Sequence, residues 1–139
     1  MILTKADLQT LAQMRLDDSL YLFQAGRSSS AYYLAGYAVE LGLKACIANL
    51  IQPNAIPDKG FINAVYVHKL DSLLSTAGLL PSFQTDAKAD SDFAAYWAVA
   101  SQWTEQSRYE LWDPMSAASM IQAIHEPAHG VFRWVKAHW

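Results

Sequence analysis

The sequence predicts an all-α fold, an antiparallel four- to five-helix bundle forming a single helical domain over residues 1–139, and three observations predict it. Of the 139 residues, 53% are hydrophobic and only 17% charged, enough apolar surface to build a core without disulfide or metal staples. The six glycines and five prolines fall mostly between apolar runs, which favours helices over a many-stranded β fold. Within those runs the apolar residues recur at helical spacing.

Each element follows from local signals. Thr4 is placed to cap a first helix, with Asp7 in its first turn. That helix runs to about Ala25 with an apolar side of Leu8, Leu11, Met14, Leu22 and Ala25, and Gly26 stops it. Ser28, Ser29 and Ser30 are expected to cap the second helix, so the two form a tight hairpin. The second helix, from about Ser30 to Ile51, is apolar on nearly every face, the pattern of a helix surrounded by protein. Its small residues, Gly36 and Gly42 among them, suggest close approach of neighbours that offsets their poor helix propensity. Pro53 and Pro57 end it and open a loop to about Val67. A short helix over His68 to Ala77 is closed by Gly78 and Pro81. A fourth helix spans about Asp86 to Ser107, with Phe93, Tyr96, Trp97, Ala100 and Trp103 at helical spacing. Arg108 to Trp112 connects it to a last helix begun by Asp113-Pro114. The buried stripe of that helix is Ala118, Ile121, Ile124, Ala128, Val131 and Val135, with a kink at Pro127.

Bulk charge narrows the function classes. A net charge of −3 with no run of Lys or Arg argues against a generally basic nucleic-acid binder. The single cysteine, Cys46, cannot pair internally and lies in an apolar run, so it reads as an inert buried thiol in a reducing, cytoplasmic setting. Residues 1–13 lack the basic-then-apolar pattern of a signal peptide. The stretch from Ala31 to Ile51 is long enough for a membrane span, but Glu40 and Lys44 at its centre would be costly in lipid, so no membrane association is expected.

His125-Glu126-Pro127-Ala128-His129 matches the spacing of a zinc-peptidase helix. Proline between the two ligands distorts the turn that must align them, and the continuation typical of one such class is missing at Phe132 and Val135. No metal site is assigned. The six glycines are isolated and none opens a strand-to-helix turn, so no phosphate-cradling loop or cofactor is expected.

Glu40 and Lys44, four apart on the most apolar helix, are the more informative pair. Charges there need partners. They form either an internal ion pair that fixes helix register or one wall of a polar pocket that gathers His68, Arg108 and Tyr109 from the loops.

The run from Arg27 to Ala45, with Glu40 and Lys44 in an alanine-rich helix, followed by His68-Lys69-Leu70 and by Arg108-Tyr109, resembles the HEPN domains (higher-eukaryote and prokaryote nucleotide-binding). The resemblance spans roughly Leu8 to Val135. It implies a helical bundle that dimerises, a nucleotidyltransferase partner, and a setting in toxin–antitoxin or phage-defence systems. Ribonuclease members carry Arg, a polar residue, and His four to six positions after the Arg. Here Arg108 has no such His; Arg133 and His138 fit the spacing, but Trp134 fills the polar slot and His138 sits at a chain end expected to fray. The leading expectation is therefore a non-catalytic binding module, a homodimer recognising a nucleotide, RNA or partner protein through Glu40, Lys44, His68, Arg108 and Tyr109. A metal-independent endoribonuclease using Arg133 and His138 is the alternative, and a structural or antitoxin-like interaction protein without a small ligand is the third.

Overall fold

The computed structural model describes residues 2–139 and is all-helical. Eight α-helices follow one another among the described residues: α1 (Lys5–Gln24), α2 (Ser28–Ala48), α3 (Lys59–Val65), α4 (Leu70–Thr76), α5 (Leu80–Ala89), α6 (Ser91–Ala100), α7 (Pro114–His125) and α8 (Val131–Lys136). A 3₁₀ turn, Glu105–Tyr109, lies between α6 and α7. None of the helices is long and apolar enough to cross a membrane.

Helix α1 starts where its capping residues dictate. The Thr4 hydroxyl accepts from the Asp7 amide while the Asp7 carboxylate accepts from the Thr4 amide, a reciprocal capping box. It ends at Gly26, whose φ of +78° carries the chain into the turn that begins α2. The apolar side of α1 is Leu8, Ala12 and Leu16 with Leu11 and Leu22 beside them; Met14 and Ala25, expected inside, are exposed.

Helix α2 is the axis of the molecule. Thirteen of its 21 residues are buried, and it packs against α1, α4, α7, α8 and the 3₁₀ turn. Its small residues make that possible. A Cβ on Gly36 would overlap the Trp103 indole, and one on Gly42 would meet Val135 Cγ1 at 2.9 Å. Leu43 and Ile47 of α2, Leu70, Leu73 and Leu74 of α4, Phe93 of α6, Met120 and Ile124 of α7, and Val131 and Val135 of α8 form the fully enclosed part of one core.

The boundaries differ from the sequence reading at several places; α4 begins at Leu70 instead of His68, and α6 ends at Ala100 instead of Ser107, so Trp103 lies beyond it. Helix α2 stops at Ala48, so Leu50 and Ile51 lie beyond it and are exposed. Asp58 accepts from the Phe61 amide and so caps α3 inside the expected loop. Pro81 starts α5 instead of terminating α4, because a ring at the first turn costs no helix bond. The expected helix from Asp86 to Ser107 breaks at Asp90, which adopts extended backbone and caps α6 with its own side chain. Pro127 does more than kink the last helix: it divides it into α7 and α8, and Ala128 is exposed in the turn between them.

Candidate functional site

The Glu40 carboxylate lies in the middle of α2, and its side chain is only 3% exposed. Its Oε1 accepts from Lys44 Nζ at 2.9 Å and faces His68 Nδ1 at 3.0 Å. His68, just before α4, turns its other nitrogen outward: Nε2 is 2.8 Å from Glu105 Oε2, on the 3₁₀ turn. A neutral imidazole carries one N–H and can donate to one of these carboxylates; the imidazolium donates to both. With the imidazolium, the contacts Lys44–Glu40–His68–Glu105 join two positive and two negative charges. Burial, and then the Glu40 charge, push the nearby Tyr37 phenol above its ordinary pKa.

Glu40, Lys44 and His68 are thus brought together, as the sequence suggested, but the network fills itself. Arg108 and Tyr109 belong to a neighbouring feature. Residues 104–111 form a strap across α2 that is pinned at both ends by tryptophan. Trp103, 1% exposed, lies against Gly36 and donates its indole N–H to the Tyr33 carbonyl at 3.1 Å. Trp112 stacks on Tyr32 with ring centroids 3.8 Å apart, and its amide donates to Ser29 Oγ at 2.8 Å. Ser29 therefore holds the strap rather than capping α2, whose N-cap, Arg27, makes no side-chain capping bond. At mid-strap the buried Ser107 hydroxyl donates to the Thr104 carbonyl at 2.7 Å.

Arg108 and Tyr109 follow Ser107 and are exposed. The Arg108 guanidinium lies 4.8 Å from the centre of the Tyr109 ring, a cation–π contact. The Tyr109 phenol raises the Arg108 pKa further above its already high value, with Tyr33 adding to the effect and desolvation opposing it. Among the described residues no carboxylate lies within 4.0 Å of Arg108. On one side of the strap, Arg108, Ser29, Ser30, Tyr33, Leu34 and Glu110 line a cleft of about 320 Å³. On the other, His68, Lys69, Thr104 and Glu105 line one of about 500 Å³. Sequence reasoning missed Ser29, Glu105 and the two tryptophan pins; only their fold neighbours give them roles.

The remaining chemistry-bearing residues sit apart. His125 ends α7, while His129 lies in the following turn with Nδ1 2.7 Å from Asp90 Oδ2, so the two histidines do not share a helix face. Asp90, Asp92 and His129 bring donor atoms within 4.8 Å of one another. Asp90 is already engaged there, one oxygen capping α6 and the other on His129. Glu126 accepts from the amides of Ala128 and His129, closing the turn after Pro127.

Arg133 and His138 border one aromatic stack. Arg133 lies over Phe93 at 5.9 Å, and the His138 ring, two residues beyond the end of α8, packs on Trp134 at 4.2 Å; Phe93 and Trp134 stack on each other at 5.3 Å. His138 is held at the chain end, with Nδ1 donating to the Trp134 carbonyl at 2.8 Å and its own carbonyl accepting from Asn49 at 3.4 Å. The Cys46 thiol is buried, which pushes its pKa up to about 11, and it donates to the Val135 carbonyl at 3.6 Å.

Compared with known proteins, the chain matches no family model, no curated protein and no solved structure.

Proposed function

We propose that this protein is a non-catalytic, homodimeric binding module that recognises a nucleotide unit, free or within single-stranded RNA, through the strap carrying Arg108 and Tyr109. One observation carries the reading: an exposed guanidinium without a carboxylate partner among the described residues, stacked on an exposed phenol ring, at the edge of a cleft with the Ser30 hydroxyl. A guanidinium offers a fork of donors to a phosphate and an aromatic ring offers a face to an unstacked base. Glu110 at the same cleft and a net charge of −3 disfavour a long, densely charged duplex, and so support a single nucleotide or a short unpaired stretch.

Glu40, Lys44 and His68 support the site from behind in this reading, since their charges are matched among themselves. The dimer draws on Leu111 and Met115, large side chains close in sequence that are 97% and 82% exposed. The nucleotidyltransferase partner and the toxin–antitoxin or phage-defence setting come with the resemblance to HEPN domains and are part of the same proposal.

Fluorescence anisotropy of a short labelled oligoadenylate, with ATP as competitor, tests the reading. Saturable binding that weakens in Arg108→Ala supports it. Cleavage of the probe in chelator, lost in His138→Ala, would replace it with a metal-independent ribonuclease.

A further inference from the structure

His68 ties the first turn of the strap to the core helix, through Glu105 on one nitrogen and Glu40 on the other. We propose that His68 is a proton-dependent latch that positions residues 104–111, and with them Arg108 and Tyr109. Its bearing on ligand recognition rests on the binding role proposed above for the strap.

The charges around the imidazole decide which bond depends on the proton. From α2 it faces Glu40, which also has Lys44 at 2.9 Å, with Tyr37 behind. From the strap it faces Glu105, with Arg108 three residues further along; on its own segment Lys69 follows it. Lys44 matches the Glu40 charge in either state of the ring. Glu105 makes no other ion pair among the described residues.

When the ring loses a proton, a single N–H remains for two carboxylates. Leaving the 3% exposed Glu40 carboxylate short of a donor costs more than releasing the 34% exposed Glu105. The N–H therefore stays on Nδ1, and the Nε2 lone pair is left facing the Glu105 carboxylate. The repulsion falls on the strap, between its two tryptophan pins. The strap is therefore held tighter with the ring protonated than with it neutral.

The test reads the strap directly. Amide hydrogen exchange at Ser107, Glu110 and Trp112, whose N–H groups are bonded to the Thr104 carbonyl, the Ser107 carbonyl and Ser29 Oγ, is followed from about pH 5.5 to about pH 8.5. Corrected for the intrinsic pH dependence of exchange, protection should fall about two- to fivefold, a size suited to a half-exposed ion pair. In Glu105→Gln, which leaves Glu40 paired with Lys44 and offers the ring an amide that can accept or donate, protection should be flat with pH; in His68→Gln it should be flat as well.

Wild-type protection that does not change with pH, or a pH response that survives Glu105→Gln, overturns the latch. Anisotropy with the labelled oligoadenylate separates the two proposals. A pH-dependent strap with no oligoadenylate binding at any pH supports the latch and rejects the nucleotide reading. Binding over a pH-insensitive strap does the reverse.

Discussion

The indole of Trp103 lies so close to the Cα of Gly36 that no side chain fits between them. This contact seats one end of the strap on the central helix, and it explains why a residue of poor helix propensity occupies the middle of α2.

Gly36→Ala should therefore destabilise the protein by about 1–3 kcal/mol, the usual cost of overpacking a filled core. Gly42→Ala should be much milder. There the new methyl meets a single methyl of Val135 at 2.9 Å, a smaller overlap than with the Trp103 indole, and alanine recovers about 1 kcal/mol of helix propensity. Urea unfolding of both variants checks the contrast. Equal losses would mean that the Trp103 seat is not special.

The buried Glu40 carboxylate depends on its neighbours. Lys44→Met should cost about 2–4 kcal/mol, because breaking a buried pair strands the remaining charge, although His68 still faces Glu40. Adding Glu40→Gln should restore much of that loss, since the charge and its missing partner then go together. The double-mutant cycle measures this coupling. If Lys44→Met alone were neutral, the pair would contribute nothing to holding α2.

The His129–Asp90 tie makes stability depend on pH in a defined window. Its hydrogen bond to Asp90 raises the His129 pKa above the ordinary value, and the bond to His129 lowers that of Asp90. Stability from the tie is fully present between about pH 4 and about pH 6.5, the unfolded values of the two groups. It is lost as pH rises through the raised His129 value and as pH falls through the lowered Asp90 value. Wild type should thus exceed His129→Asn in stability by more at about pH 5.5 than at about pH 8.5. A gap that is constant across that range contradicts the assignment.

Much of the fold was legible because its signals are local. Thr4 with Asp7 and Asp113 with Pro114 begin helices in the sequence and in the structure. The density of apolar residues around Val39 marked α2 as a surrounded helix. Other boundaries were not legible because one residue type serves two purposes. Pro81 can end a helix or begin one, and Asp90 lies in an apolar pattern that continues across it while its side chain caps the next turn.

The site was legible in part. Glu40 and Lys44 meet because i,i+4 spacing on a helix brings them together, and a charge that deep needs further partners, which pointed to His68. Glu105 and Ser29 carried no such signal. Their roles arise from contacts 37 and 83 residues apart in sequence, made only when the strap crosses α2. The ribonuclease alternative rested on the resemblance and on the spacing of Arg133 and His138; Arg133 lies over Phe93 and His138 packs on Trp134.

The central claim is that the strap binds a nucleotide through Arg108. Arg108 is exposed and makes no ion pair among the described residues, so Arg108→Ala should leave thermal stability within about 0.5 kcal/mol of wild type. The same change should weaken binding of the labelled oligoadenylate by about tenfold or more, the loss of a charge-assisted hydrogen bond to phosphate. Measured side by side, unchanged melting with weakened binding is the predicted result. A large loss of stability with unchanged binding would make Arg108 a strut of the strap and contradict the account.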